Sequence, residues 1–185
     1  MKRIVNESHP LFVSPFSEAD QLKLAGFCCG DTIDGRYCTQ WICGSDCLDS
    51  INRHGTKVWL YRDSTGGVVG YGSLGKTRWR WPPPDGDYTN LLMIPMLGID
   101  QRFHGQPPGN PAQRYSHRIV EHLISEAEIW NASLPKSVNV VTLTVRESNE
   151  RAQRLYRALD FAFIEGERRR NDFLVMARRL LRPKA

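Results

Sequence analysis

Asn149 and Tyr156 are the residues of this sequence whose types and spacing most favour chemistry. With Ala152 and Leu159 they fall at helical spacing, so that one apolar face carries the tyrosine. Asn149, or the preceding Ser148, can cap the start of such a helix. A phenol, with an ordinary pKa near ~10, can donate a hydrogen bond or a proton to a leaving group. The alternative is a tyrosine that only packs in the core.

The segments on either side of this helix must position it. Residues 138–145 form a β-branched run with apolar side chains on both faces, which predicts a buried strand. Residues 161–164 begin a second strand after the single intervening residue Asp160. A strand, a helix and a strand with such short joints predict an α/β unit.

This spacing resembles the second acetyl-CoA-contacting motif of the GNAT acetyltransferase superfamily, carried here by Asn149-x-x-Ala152-x-x-Leu155-Tyr156-x-x-Leu159-x-Phe161. The resemblance implies that Asn149 and Ala152 contact acetyl-CoA, with Asn149 bonding the pantetheine amides. It also implies that Tyr156 is the general acid for the CoA thiolate. One departure is Asp160, where the family most often has glycine. Aspartate tolerates a left-handed backbone better than most residues, so the turn is weakened rather than forbidden.

Residues 91–100 predict the strand beside which the acetyl group would lie. Pro95 removes a main-chain donor, which a central strand resists, so we expect a bulge there. This pattern resembles that of GNAT enzymes, in which a bulge in the fourth strand opens a V-shaped slot for pantetheine. The resemblance implies that Leu97, Gly98 and Ile99 bind the cofactor, with main-chain groups of Leu97 and Ile99 pairing with pantetheine. An amide near Leu97 would polarise the thioester carbonyl.

The pyrophosphate loop departs from the family pattern of an Arg or Gln followed by glycines. A direct overlay places His104, Gly105 and Gln106 there, but Pro107 and Pro108 then supply no N–H donors. A second overlay, which we prefer, treats residues 107–113 as an insertion. The turn that precedes the next helix is then formed by Arg114, Tyr115, Ser116 and His117. The alternative is a proline-rich surface loop without a ligand.

The GNAT resemblance implies an α/β fold of the α+β kind. Its central sheet would be mixed and mostly antiparallel, with six to seven strands. A splayed V would separate the fourth and fifth strands, and helices would cover both faces. We predict one domain over residues 1–185, with an acceptor-side half at 1–90 and an acetyl-CoA-binding half at 91–185. Residues 57–62 and 68–74, joined by Asp63-Ser64-Thr65-Gly66-Gly67, predict the hairpin that precedes the cofactor region.

The composition restricts the class of protein and its partners. A net charge of +5 suits an anionic ligand, a requirement that acetyl-CoA alone satisfies. The five cysteines lack Cys-x-x-Cys spacing, so we expect free thiols and no metal rather than disulfides or zinc. No secretory signal pattern or long apolar run is present, which favours a cytoplasmic protein without a membrane partner.

The segment 76–87 contains two arginines interleaved with two tryptophans and followed by prolines. We expect an irregular loop beside the acceptor. Its Arg and Trp side chains could contact phosphates and stack on nucleobases. The alternative is a loop whose tryptophans fold back onto the domain edge.

Acetyl-CoA-dependent transfer to a primary amine, by direct attack in a ternary complex, is therefore the leading hypothesis. The acceptor could be a small molecule, a protein or an aminoacyl-tRNA. Residues 27–30 and the following helix are loosely similar to GNAT toxins that acetylate aminoacyl-tRNA. A non-catalytic module that binds CoA or a protein is the hypothesis from another class. The sequence leaves open the general base, a homodimer and an antitoxin partner.

Overall fold

The computed structural model describes residues 2–4, 9–83, 85–134, 139–169 and 172–181, with the backbone alone for 2–4 and 165–169. This part of the chain contains nine strands and five α-helices. In chain order they are β1 (Lys2–Ile4), β2 (Leu11–Pro15), α1 (Glu18–Gln21), α2 (Ile33–Cys43), α3 (Ser45–His54), β3 (Lys57–Arg62), β4 (Val68–Trp81), β5 (Asp87–Ile94), β6 (Leu97–Ile99), α4 (Tyr115–Ala132), β7 (Val140–Arg146), α5 (Glu150–Arg157), β8 (Ala162–Arg169) and β9 (Phe173–Arg179).

The strands pair in the order β1-β2-β3-β4-β5-β7-β9-β8, and β6 pairs with β4. The sheet is mixed and mostly antiparallel, since β5 and β7 run parallel while the pairs around them run antiparallel. This confirms the predicted fold class, but the sheet has nine strands within the described residues rather than the predicted six to seven. The strand predicted at 91–100 divides at Pro95, because β5 ends at Ile94 and β6 begins at Leu97. Beyond that break the chain pairs with β4.

The prediction of an irregular loop at 76–87 was wrong. β4 continues to Trp81 and pairs with β5 from Gly75↔Met93 to Trp81↔Asp87, so most of the segment is a hairpin. Its turn closes with a hydrogen bond of 2.7 Å from the Gly86 amide to the Pro82 carbonyl. A Cβ at Gly86 would lie 2.2 Å from the Trp81 carbonyl carbon, so the turn requires glycine. Residue 84 lies outside the described residues.

The first of two compact units comprises Met1–Ser73 and Met96–His122. Its core lies between α2, α3 and the strands β3 and β4, where Trp41 stacks on Tyr71 with ring centroids 5.6 Å apart. Both rings are buried. Thr32 caps α2 by accepting a hydrogen bond from the Gly35 amide, which fixes where this helix begins.

The second unit comprises Leu74–Pro95 and Leu123–Ala185. Its central strand is β7, which pairs with β5 on one side and β9 on the other. Val141 and Leu143 are fully buried on one side of this strand and Thr142 on the other, which confirms the prediction of a strand covered on both faces. The start predicted for this strand at residue 138 lies outside the described residues.

Helix α4 begins at Tyr115, so three of the four residues predicted to form the preceding turn are the first residues of the helix. Its apolar stripe consists of five residues at helical spacing. All five are buried, namely Ile119, Val120, Leu123, Ile124 and Ala127. None of the helices in the described ranges is both long and apolar enough to cross a membrane.

Candidate functional site

Strand β6 turns main-chain groups of Leu97 and Ile99 away from β4. The bonds that flank β6 set the alternation, since the Ser73 amide donates to Met96 O and the Asp100 amide to Val69 O, each at 2.9 Å. Hydrogen-bonded and non-hydrogen-bonded positions alternate in an antiparallel pair. Leu97 and Ile99, opposite Gly72 and Gly70, are therefore the positions whose N–H and C=O groups face outward. This orientation suits a peptide-like ligand lying along the strand.

Two side chains already contact the outward carbonyls of β6. The Cys38 thiol donates to Leu97 O at 3.4 Å, and His104 Nε2 lies 3.0 Å from Ile99 O. Because a carbonyl only accepts, His104 must carry its proton on Nε2 in this arrangement. The outward amides of Leu97 and Ile99 are thus the donors that the strand offers to a ligand.

Gly98 allows β6 to pack closely on the core of the first unit. A Cβ at this position would lie 2.4 Å from Tyr71 Cε1 and 2.7 Å from Cys29 Sγ. Both neighbours are buried and cannot withdraw easily. Gly98 therefore fixes the position of the strand, whatever its part in binding a ligand.

A buried carboxylate ends β6 and holds the loop that follows. Asp100 accepts hydrogen bonds from the Arg102 guanidinium at 2.8 and 2.9 Å, from the Arg102 amide at 3.0 Å and from the Cys28 amide at 3.3 Å. Burial alone would raise the pKa of Asp100, but these hydrogen bonds, with those from Arg102 the largest, lower it below its ordinary value of 3.8. Asp100 is therefore an anchor for the loop rather than a base.

The loop between β6 and α4 contains a segment whose two ends are hydrogen-bonded to each other. The Tyr115 amide donates to Gln106 O at 2.8 Å, so residues 107–114 form a closed excursion between two adjacent positions. The Phe103 and Tyr115 rings meet edge to face, 5.7 Å apart, across the same closure. This geometry favours the overlay in which residues 107–113 are an insertion. Gly105 has a φ of 77° and leaves the backbone open there.

The first turn of α4 presents unpaired donors. The first intrahelical bond runs from the Arg118 amide to Arg114 O, so the amides of Ser116 and His117 precede it. Arg114 Nε is buried and has no hydrogen-bond partner among the described residues. A buried guanidinium nitrogen without a partner is costly, and an anionic oxygen would satisfy it. These residues therefore fit a phosphate-bearing ligand. His117 lies 3.5 Å from Glu121.

Helix α5 of the second unit begins as predicted. Asn149 is the N-cap, and its side-chain oxygen accepts a hydrogen bond from the Ala152 amide at 3.1 Å. The Ala152 amide is thus used within the cap. Gln153, which is buried, donates to the carbonyls of Arg146 and Glu147 at 3.2 and 2.7 Å. These bonds join the helix to the end of β7 and hold its first turn in place.

Tyr156 lies about two helical turns beyond the cap and is 8% exposed. Its ring contacts that of Phe161, with centroids 5.9 Å apart, and the Phe161 amide donates to Tyr156 O at 3.0 Å. Asp160 adopts a φ of 61°, the left-handed conformation expected where the family has glycine. The tyrosine is therefore held by contacts at the end of the helix, with a small part of its surface accessible.

The predicted site residues fall into two sets, each within one unit. The first unit carries Leu97, Gly98, Ile99, His104, Gly105, Gln106, Arg114, Tyr115, Ser116 and His117, and the second carries Asn149, Ala152 and Tyr156. In the first unit the structure brings His104 to Ile99 and Gln106 to Tyr115. In the second it brings Asn149 to Ala152.

Sequence reasoning missed the residues that support β6. Cys38 and Asp100 contact the strand and its loop through pairings over 59 and 72 residues of chain, and no local pattern reports such pairings. All five cysteines are free thiols, as predicted. Within the described ranges, no group of three His, Cys, Asp or Glu side chains could hold a metal ion.

Solved structures resemble this chain over most of its length, and three of them serve as examples. An AtaT mutant toxin bound to the C-terminus of the antitoxin AtaR and acetyl-CoA matches with a TM-score of 0.66 at 16% identity, over 89% of this chain and 91% of that chain. AtaT complexed with acetyl-methionyl-tRNAfMet matches with a TM-score of 0.63 at 18% identity, over 89% of this chain and 93% of that chain. A KacTA–DNA complex matches with a TM-score of 0.64 at 14% identity, over 91% of this chain and 92% of that chain. The chain has the GNAT fold.

At these identities the likeness concerns the fold. No protein-family model and no curated protein matches the sequence. The GNAT fold accounts for the order of the elements: the hairpin of β3 and β4 precedes the interrupted strand β5 and β6, and the unit of β7, α5 and β8 follows α4. The residues predicted from the GNAT resemblance lie on β6, in the loop that follows it, at the start of α4, and on α5 and its N-cap.

Proposed function

We propose that this chain is an acetyl-CoA-dependent N-acetyltransferase. Helix α5, with Asn149 as its cap and Tyr156 about two turns further, is the observation that carries the proposal, because its motif and its local geometry agree. The outward amides of Leu97 and Ile99 and the unpartnered Arg114 Nε supply the donors that a thioester arm and a phosphate group require. The toxins of the same fold include acetyl-CoA complexes.

The proposed reaction is direct attack by a primary amine on the thioester carbonyl carbon. The Leu97 amide stabilises the developing oxyanion. As the carbon–sulfur bond breaks, the Tyr156 hydroxyl donates to the sulfur. A phenol titrates near ~10 and a thiol near ~8.5, so a hydrogen bond to the thiolate contributes more than complete proton transfer. The proton of the amine leaves to solvent or to a base that we do not assign.

Calorimetric titration with acetyl-CoA and an acceptor assay test the proposal together. CoA release is measured by chromatography with small amines, basic peptides and aminoacyl-tRNA, because the exposed Cys43 would react with a thiol reagent. We expect binding by the wild type, and turnover reduced about 100-fold in Tyr156→Phe with acetyl-CoA affinity retained. Tyr37→Phe removes an exposed hydroxyl to which we give no role and serves as the control.

The outcomes separate the hypotheses. No binding at millimolar acetyl-CoA ends the proposal. Binding without turnover on any acceptor would instead support a non-catalytic CoA-binding module. The proline-rich loop motivates that alternative, since Pro107 and Pro108 supply no N–H donors to a phosphate.

An aminoacyl-tRNA is the acceptor that specific observations favour. One structure of the same fold is AtaT complexed with acetyl-methionyl-tRNAfMet. This chain also has a net charge of +5, which suits a polyanionic substrate. In the acceptor assay, turnover on aminoacyl-tRNA that greatly exceeds turnover on free amines supports this candidate. Equal turnover on both contradicts it.

A further inference from the structure

The hairpin of β4 and β5 carries a row of cations along one face. Lys76, Arg78 and Arg80 occupy alternate positions of β4, so their side chains project from the same side, about 6.8 Å apart. All three are exposed, whereas the residues between them are half-buried. The interleaved Arg and Trp residues of the sequence are therefore sorted by the strand, with the arginines on the exposed face.

An exposed aromatic ring lies among these cations. Arg80 pairs with Tyr88 of β5, so their side chains share this face, and Tyr88 is 59% exposed. The Tyr88 ring centroid lies 4.9 Å from the Arg80 guanidinium carbon and 5.7 Å from that of Arg78. The contacts hold both guanidinium groups in place while their N–H donors still reach outward.

Carboxylates do not neutralise this row. Among the described residues, no acidic group lies within ion-pair distance of Lys76, Arg78 or Arg80. Asp87 pairs with Trp81 and so belongs to the opposite face, and Asp85 lies in the turn. At the root of the hairpin the Lys76 ammonium lies 5.4 Å from the ring centroid of Trp130.

We propose that this face, formed by Lys76, Arg78, Arg80 and Tyr88, binds a single-stranded segment of RNA. The cations would contact successive phosphates, and a base would stack on Tyr88. An acidic peptide would pair with the cations but would place no base on the Tyr88 ring. In a duplex the bases are already stacked on one another and could not stack on Tyr88. The inference extends the proposed function by adding a binding surface for an aminoacyl-tRNA acceptor.

Fluorescence anisotropy with a labelled single-stranded RNA of mixed sequence, measured over a series of salt concentrations, tests this surface. We expect Arg78→Gln/Arg80→Gln to bind about tenfold more weakly and to lower the slope of log affinity against log salt by about 1.4. Lys23→Gln/Arg53→Gln removes the same charge from exposed positions of the first unit and should change neither quantity.

Two further variants separate charge from stacking. Arg78→Lys/Arg80→Lys keeps both charges, so the salt slope should be retained while affinity falls, because lysine cannot stack as a guanidinium does. Tyr88→Leu should weaken binding about tenfold without changing the slope, and Tyr88→Phe should restore it. Circular dichroism before each titration confirms that the variants are folded.

Binding that is equal in the wild type and in Arg78→Gln/Arg80→Gln would overturn the inference. So would equal affinity for a polyglutamate peptide and for the RNA at matched charge. The result is distinct from a failure of the proposed function: loss of RNA binding leaves acetyl-CoA binding and transfer to small amines intact. Conversely, if the chain binds RNA but not acetyl-CoA, the inferred RNA-binding face stands and the proposed acetyltransferase activity does not.

Discussion

Asp100 is the residue on which the position of β6 and its loop depends. Its buried carboxylate accepts hydrogen bonds from main-chain and side-chain donors on both sides. Hydrogen bonds to a charged acceptor are stronger than those between neutral groups, and a buried acceptor without them would be costly. One acidic side chain thereby joins the Cys28 segment, the end of β6 and the start of the loop.

The pH dependence of stability should identify this contribution. The hydrogen bonds lower the pKa of Asp100 below 3.8, so its stabilisation is present above that pH and disappears as the pH falls through the lower value of the folded state. We expect Asp100→Asn to lower the free energy of unfolding by about 3 kcal/mol at pH 7. The difference from the wild type should shrink below pH 3.8, as measured by urea denaturation. A difference independent of pH would contradict this assignment.

The closed excursion between Gln106 and Tyr115 is the element by which the predicted phosphate loop departs from the GNAT pattern. Its two ends are joined by a main-chain hydrogen bond, so the residues between them are not needed to reach from β6 to α4. The donors that fit a phosphate lie after the excursion, at Arg114 and in the first turn of α4. The prolines are therefore compatible with a functional loop.

Shortening the loop tests this interpretation. Replacing residues 107–113 by one glycine would place Gln106 and Tyr115 at the first and fourth positions of a β-turn, which keeps the hydrogen bond between them. We expect a folded protein whose acetyl-CoA affinity by calorimetry stays within about threefold of the wild type. The full-length Arg114→Gln variant should bind about tenfold more weakly and is the matched comparison. Loss of binding in a folded, shortened variant would favour the overlay through the prolines.

At the scale of the whole molecule, the likeness to AtaT and KacTA extends over about nine-tenths of each chain with a low identity. Such a likeness conserves the order of elements while leaving most side chains free to change. This sequence contains the basic hairpin and the proline-rich loop. Its acceptor must therefore be established on the protein itself.

Expression in a bacterial host provides that measurement. If aminoacyl-tRNA is the acceptor, the wild-type chain should arrest growth, because a catalyst depletes a limited pool that translation requires. Tyr156→Phe should relieve the arrest at equal protein level, whereas Tyr37→Phe should remain toxic. Harmless expression of a wild-type protein that is active on amines would point to a small molecule or a protein as the acceptor.

The helix motif and its neighbours could be predicted because their signals are local. Asn149 caps α5 through an amide three residues away, and Asp160 adopts the left-handed turn that its position requires. The β-branched run before them forms β7, and Pro95 interrupts its strand because it lacks an N–H. The cap, the turn, the strand and its interruption each depend on residues close together in the chain, so the sequence by itself determined them.

The tertiary structure decided what depends on distant partners. Residues 76–81 became a strand because β5 supplies the pairing, and only the alternation of Arg and Trp could have indicated it. The outward direction of Leu97 and Ile99 follows from the register with β4, and the burial of Asp100 from its contact with Cys28. Pairing register and buried contacts are set when distant segments meet, and local spacing does not encode them.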